Sequence, residues 1–203
     1  MSDRRQVILA SASMTRQAML ANAGIPFVAK PAYIDEAAIK NSCLSQGDSP
    51  EKIALQLARE KARVVSADHP SSLVIGSDQI LAIDGELLSK TADRPDALSK
   101  LRKLQGRTHQ LHSAVACFLD GELTFELVDT AELTMKPMSD QELLDYLDDA
   151  GPEIHKAVGC YQIESKGIRL FKSIRGSHFT IMGMPLLPLL GYLDASLSDT
   201  TDP

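Results

Sequence analysis

The sequence predicts an α/β or α+β fold built around a mixed β-sheet. Short apolar runs of strand length alternate with segments whose apolar residues recur at helical spacing, as expected when helices cover a sheet. Two Asp-Gly pairs, Asp84-Gly85 and Asp120-Gly121, separate strand-like runs and predict antiparallel hairpins. With 203 residues, 44% of them hydrophobic, the chain can bury a full core in one domain, or in one domain with two lobes.

The first half of the chain is predicted to alternate strands and helices. After Asp48, an acid three residues on at Glu51 is typical of a helix start, and apolar residues then recur at helical spacing. In order, this half contains a strand at 7–10, a helix at 15–23 ended by Gly24, a short strand at 26–30, the helix from 48 to 67, and strands at 73–76, 80–83 and 86–88.

The second half begins with a helix opened by Asp93 and Pro95 and closed by Gly106. Long strands are expected at 109–119 and 123–135, and a capping box from Ser139 to Glu142 starts a helix that ends before Gly151. A last pair of short strands and a helix at 186–193 follow. We expect a single domain over 1–195 and a disordered polar tail over 196–203.

Composition excludes several classes of function. The net charge of −6 argues against a nucleic-acid polymer as partner, but a small anion can still bind where a few cations converge. No apolar run is long enough for a membrane span and the first five residues are too polar for a secretory signal, so we expect a cytoplasmic protein. Three well-separated cysteines support neither a disulfide framework nor a zinc site.

The apolar run at 7–10 stops at a polar segment that can bind an anion. Ser11, Ser13 and Arg16 bring hydroxyls and a guanidinium to the start of a predicted helix, where free backbone amides also favour a phosphate. Taken alone, such a segment is more often a strand leading into a serine-capped helix.

Two acids follow apolar segments and are candidates for chemistry. Asp78 comes at the end of an apolar strand, just after Gly76, and Glu36 ends a short apolar segment in the region after the predicted strand at 26–30. A rigidly held carboxylate can bind a divalent metal or accept a proton from water, and together the two acids could form a metal site. The alternatives are a turn aspartate and a solvated loop acid.

Two lysines supply positive charge. Lys61 lies on the predicted helix at 48–67, and Lys90 follows the first hairpin. Solvated surface lysines are the default interpretation, but a triphosphate in a cleft needs several cations.

Eight short motifs follow one another along the chain: LASASMTR (9–16), IDE (34–36), LAREKA (57–62), IGSDQ (75–79), GELLSK (85–90), LQGRTH (104–109), GCYQIESKG (159–167) and MGMPL (182–186). In content and order they resemble the Maf family of nucleoside triphosphate pyrophosphatases, and the resemblance spans residues 7–193. It implies a twisted mixed sheet flanked by helices, similar to inosine triphosphatases, with two lobes around a deep cleft.

The resemblance also implies a reaction and roles for residues. A nucleoside triphosphate would be hydrolysed to the monophosphate and pyrophosphate with Mg²⁺ or Mn²⁺, as house-cleaning of non-canonical nucleotides, by a protein that could act as a homodimer. Asp78 would accept the proton of the attacking water, and Glu36 would act as a metal ligand with Asp78 or as a partner base. The residues expected to hold phosphates are Ser11, Ser13, Arg16, Lys61 and Lys90.

Departures from the commonest family pattern bear on the substrate. Gln79 and Glu164 resemble the subgroup associated with 7-methyl-GTP, and a carboxylate at Glu164 suits the N–H donors and positive charge of a methylated guanine. Thr15 stands where that subgroup often has an aromatic residue, which removes a stacking surface. The alternatives are a dTTP or UTP pyrophosphatase, or a nucleotide-binding regulator of cell division without turnover.

Overall fold

A seven-stranded mixed sheet forms the centre of the protein in the computed structural model, which describes residues 5–198. The strand order is β2-β1-β3-β5-β6-β7, with β4 also paired to β3. β2, β1 and β3 run parallel and the remaining pairs are antiparallel, which confirms the predicted mixed sheet. The strands are β1 (Val7–Leu9), β2 (Val28–Ala29), β3 (Leu73–Ile83), β4 (Glu86–Leu88), β5 (Thr108–Leu119), β6 (Glu122–Met135) and β7 (Phe171–Arg175).

Most helices begin where the sequence predicts, because polar side chains cap their first turns. Ser139 and Glu142 form the expected capping box, whereas Ser49 rather than Asp48 accepts the first-turn amide of the long third helix. The helices are α1 (Met14–Asn22), α2 (Glu36–Ser45), α3 (Pro50–Ala67), α4 (Arg94–Leu104), α5 (Asp140–Ala150), α6 (His178–Ile181) and α7 (Leu186–Ser198), with 3₁₀ turns at Pro152–Lys156 and Lys166–Leu170. Within 5–198, none of these helices has the length and apolarity that crossing a bilayer requires.

One edge of β3 is covered by two different strands that leave a gap between them. β5 pairs along the other edge, whereas β1 pairs only with Leu73–Ile75 and β4 only with Leu81–Ile83. Among the described residues, no strand covers positions 76–80 on this edge. Asp78 and Gln79 therefore lie where the sheet opens.

The apolar core divides on either side of this opening. Leu73 and Ile75 pack in a cluster with α1 and α7, and Leu81 and Ile83 pack in a second cluster with α4 and α5. Ser77, on the same face of the strand, is fully buried and donates to the Gly183 carbonyl oxygen at 3.1 Å. The arrangement confirms the expected two lobes around a cleft.

Three predictions of local structure are corrected. Residues 73–83 form one continuous strand instead of two, so Asp78 lies within β3 and not at a strand end. Glu36 is the first residue of α2 and not a loop acid. Between Gly151 and Leu186, where a pair of short strands was expected, there is a single strand, β7, with two 3₁₀ turns and the short helix α6.

The predicted tail overlaps the last helix. Residues 196–198 lie in α7, while residues 199–203 lie outside the described part of the chain.

Candidate active site

A cleft of about 740 Å³ lies over the gap in the sheet edge. Segments from both lobes line it, including the start of α1, the loop after β4 and the loop at 157–164. The structure brings together all ten residues singled out from the sequence, namely Ser11, Ser13, Thr15, Arg16, Glu36, Lys61, Asp78, Gln79, Lys90 and Glu164.

An ammonium group joins the two acids inside the cleft. Lys61 Nζ lies 2.7 Å from Glu36 Oε1 and 2.6 Å from Asp78 Oδ1. The side chains of Asp78 and Lys61 are only 9% and 11% exposed, whereas the Glu36 side chain is 44% exposed. A buried ion pair of this kind is costly unless both partners are satisfied, so its presence beside an open cleft suggests a chemical role.

The local fold explains why these three side chains meet. α3 packs directly on β3 at Gly76, where a Cβ atom would lie only 2.1 Å from the carbonyl oxygen of Ala58. This close approach places Lys61 against Asp78, two residues further along β3. Asp35 caps α2 by accepting from the Ala38 amide at 2.9 Å, which fixes Glu36 at the first turn of that helix.

The cations in the cleft hold Glu36 in its charged form. Burial raises the pKa of the Glu36 carboxyl, but the hydrogen bond and charge of Lys61, with the charges of Lys40 and Lys90, outweigh it and leave the pKa below its ordinary value. Burial and the charge of Arg16 lower the pKa of Lys90, which Glu36 and Asp78 partly offset. The cleft thus contains several cations around two carboxylates, and the charge of each group affects the pKa of its neighbours.

The segment 11–16 forms the serine-capped helix start and also orients Arg16. Ser13 caps α1 by accepting from the Arg16 amide at 3.4 Å, and Ser11 Oγ accepts from Nη1 of the guanidinium at 3.4 Å. Nε of Arg16 donates to the Gly183 carbonyl at 2.9 Å. The helix cap is therefore present, and the guanidinium of Arg16 lines the same cleft, where it is available to an anion.

The three candidate specificity residues differ in their surroundings. Glu164 is exposed on the loop at 157–164, and Thr15 is half-buried in the first turn of α1. Gln79 instead directs its amide nitrogen towards three oxygen acceptors of the protein, 2.9–3.0 Å away.

Sequence reasoning missed Lys100, a buried residue of α4. Its ammonium donates to the carbonyl oxygens of Ser89 and Val158, and so joins the loop that carries Lys90 to the loop that carries Glu164. A signal was present, because Lys100 lies on the same helical stripe as the buried residues Ala97 and Leu104.

Cys160 belongs to the loop at 157–164 and faces the protein interior. It is fully buried, its backbone has a positive φ of 57°, and Thr91 Oγ1 lies 3.2 Å from its sulfur. Burial raises the pKa of the Cys160 thiol despite the opposing effects of Thr91 and Lys100. All three cysteines are buried and free, as expected for small hydrophobic residues.

The donors in the cleft fit a hard divalent cation that arrives with a phosphate. Within residues 5–198 there is no group of three or more His, Cys, Asp or Glu placed to hold a metal. Mg²⁺ commonly uses only one or two carboxylates and takes its other ligands from water and substrate phosphates. Glu36 and Asp78 match that donor set.

Comparisons with known proteins give the family of the chain. The Maf-like protein family model matches residues 6–196. A nucleoside triphosphate pyrophosphatase of Bradyrhizobium diazoefficiens is 52% identical over 187 residues, which cover 92% of each chain. A 7-methyl-GTP pyrophosphatase of Rhizobium etli is 44% identical over 188 residues, covering 93% of this chain and 94% of the relative.

Among solved structures, the Staphylococcus aureus Ham1 protein aligns with a TM-score of 0.46 and 15% identity, covering 95% of this chain and all of that one, a similarity too low to support an argument. The family model covers nearly the whole chain, and the two relatives exceed 40% identity. This chain belongs to the Maf family.

Proposed function

We propose that this protein hydrolyses a nucleoside triphosphate to the monophosphate and pyrophosphate, and that its substrate is 7-methyl-GTP. The observation that carries the reaction is the Glu36–Lys61–Asp78 arrangement within a cation-lined cleft. The names of the two relatives above support the same reaction.

Asp78 is the proposed proton acceptor. Water attacks the α-phosphorus, its proton passes to the Asp78 carboxylate, and the bond from the α-phosphorus to the bridging oxygen of pyrophosphate breaks. Lys61 holds the Asp78 carboxylate in place through a charge-assisted hydrogen bond of 2.6 Å.

The phosphate chain is bound by the remaining cations and hydroxyls. Arg16 and Lys90 would neutralise phosphate oxygens, and Ser11 and Ser13 would donate hydroxyl hydrogen bonds from the start of α1. Lys61 would contact the phosphate chain while keeping its bonds to the acids.

Glu36 and Asp78 would hold Mg²⁺ or Mn²⁺ together with the triphosphate. The metal would supply Lewis-acid stabilisation of the charge that develops on the phosphoryl oxygens.

Glu164 is the proposed reader of the base. Its carboxylate accepts hydrogen bonds only, which suits the N1–H and N2–H₂ groups of guanine, and its negative charge favours a base made cationic by methylation. Glu164 is exposed on a loop that lines the cleft, so it can reach a bound nucleotide.

A substrate panel tests the proposed function. Purified protein is incubated with Mg²⁺ or Mn²⁺ and with 7-methyl-GTP, GTP, dTTP or UTP, and pyrophosphate release is measured. We expect release from every well-bound triphosphate and the highest kcat/KM for 7-methyl-GTP. Binding without release would contradict the reaction, and a preference for dTTP or UTP would contradict the substrate.

The Glu164→Gln variant tests the base-reading residue. An amide both donates and accepts, so the preference is expected to move towards the pyrimidine nucleotides. Glu122→Gln, on the exposed start of β6 and away from the cleft, removes the same charge and serves as the control. An unchanged order of substrates in Glu164→Gln would overturn this assignment.

A further inference from the structure

The side-chain amide of Gln79 donates to the turn at 180–183, which includes the end of α6. Nε2 lies 3.0 Å from Ser113 Oγ, 2.9 Å from the Thr180 carbonyl oxygen and 3.0 Å from the Ile181 carbonyl oxygen. A carboxamide has two N–H donors, so these three protein acceptors use both of them. Little donor capacity is left for a nucleotide base.

The turn that Gln79 holds is fixed from other sides as well. Ser113 Oγ donates to the Thr180 carbonyl at 2.7 Å, and the Thr180 hydroxyl donates to the Asp129 carboxylate. Ser113 and Thr180 are completely buried. Polar groups buried this deeply destabilise the fold unless each has a hydrogen-bond partner. Because these groups are all paired, the network is rigid.

The far end of the same turn contacts the phosphate side of the cleft. Gly183, with φ at +108°, presents a carbonyl oxygen that accepts from Arg16 Nε at 2.9 Å and from Ser77 Oγ at 3.1 Å. Two residues of β3, Ser77 and Gln79, therefore fix the turn, and the turn in turn fixes the guanidinium of Arg16 through the Gly183 carbonyl.

We propose that Gln79 is a positioning residue, which fixes the 180–183 turn and through it the guanidinium of Arg16, so that its amide nitrogen serves this turn and not the base. The inference rests on the proposed function in one respect, because it takes the anion that Arg16 binds to be the phosphate chain of a nucleotide. Arg16 has five N–H donors, and its bonds to Gly183 and Ser11 leave the others for an anion. Fixing a long side chain in advance removes an entropic cost from binding.

Inorganic tripolyphosphate separates the two roles, because it has a phosphate chain and no base. Its affinity is measured by calorimetry for the wild type and for Gln79→Met, which keeps the length of the side chain and removes its donors. We expect affinity to fall about tenfold, since hydrogen bonds that order a charged group are lost. KM should rise by a similar factor for every nucleotide, with the order of substrates unchanged.

Two further variants keep the test decisive. Gln79→Glu places a carboxylate against three acceptor oxygens and should weaken tripolyphosphate binding further, whereas Gln46→Glu, on the exposed end of α2, adds the same charge without effect. If either Gln79 variant fails to fold, Ser113→Ala, which removes a donor to the same carbonyl, should reproduce the loss in weaker form.

A double-variant cycle with Arg16→Ala identifies the route. If Gln79 acts through Arg16, adding Gln79→Met to Arg16→Ala causes no further loss of tripolyphosphate affinity. Three results would each overturn the proposal. The first is a double variant whose affinity loss is the product of the two single losses, and the second is unchanged tripolyphosphate affinity in Gln79→Met. The third is a changed order of nucleotides with unchanged tripolyphosphate affinity. A wild type that binds tripolyphosphate but hydrolyses no nucleotide would defeat the proposed function alone.

Discussion

Gly76 sets the distance between α3 and β3, and the Gly76→Ala variant tests how strongly the site depends on it. The added Cβ would lie 2.1 Å from the Ala58 oxygen, 2.7 Å from the Ala62 nitrogen and 2.9 Å from the Ala62 Cβ. Two of these are backbone atoms, which cannot rotate away. Since non-bonded heavy atoms settle at about 3.5 Å, α3 must retreat by about 1 Å or more.

Two consequences are expected from this retreat. Overpacking of this kind costs about 1–3 kcal/mol, and the clash with two backbone atoms of α3 puts the loss at the upper end. The 2.6 Å bond between Lys61 and Asp78 should also break, with turnover falling by about a hundredfold in the protein that remains folded.

Urea unfolding and pyrophosphate release measure the two effects. Gly191→Ala is the matched control, because a Cβ atom at position 191 would meet nothing within 4 Å. Since Gly191 lies inside α7, its replacement by alanine should stabilise the folded protein by about 0.5–1 kcal/mol. A Gly76→Ala protein with wild-type stability and turnover would refute the claim that close helix packing builds the site.

Three other changes have defined outcomes. Lys61→Met removes the ammonium shared by Glu36 and Asp78, so the pKa of Glu36 should rise and the acidic limb of the pH–rate profile should move to higher pH; an unmoved limb would count against the pairing. Burial lowers the pKa of His109 from 6.5 to about 4, so the unfolded chain binds a proton that the folded protein does not. The unfolding free energy should therefore fall by up to about 1.4 kcal/mol per pH unit as the pH is lowered from 6.5 towards 4. His109→Gln should lack this part of the pH dependence, which urea titrations at pH 7 and pH 5 measure. Ser139→Ala removes the cap of α5 and should cost about 1 kcal/mol of stability with turnover unchanged; a loss of turnover would mean that α5 affects the cleft.

Local sequence signals were sufficient for most of the fold. Asp120-Gly121 does form the hairpin between β5 and β6, and Ser139 does cap α5, because both depend on neighbours in the chain. The grouping of the ten candidate residues in one cleft also followed from a resemblance carried by their order along the sequence.

The errors occur where distant contacts decide the structure. The residues 76–79 have low strand propensity, yet β5 pairs along them and α3 covers them, so the strand continues through Asp78. In α2 only Cys43 is buried, so its sequence carries almost no apolar stripe to reveal a helix. No local pattern could show that Lys61 joins Glu36 to Asp78, since the three come from separate elements.

The most direct test of the central claim is single-turnover hydrolysis of 7-methyl-GTP by Asp78→Asn, alongside Asp84→Asn in the exposed hairpin turn as control. An amide keeps the shape of Asp78 but cannot take the proton of water. We predict that the rate of the chemical step falls by about 10²–10⁴-fold in Asp78→Asn while nucleotide binding persists, and that Asp84→Asn behaves as wild type. A chemical step of undiminished rate in Asp78→Asn would contradict the assignment of Asp78 as the proton acceptor.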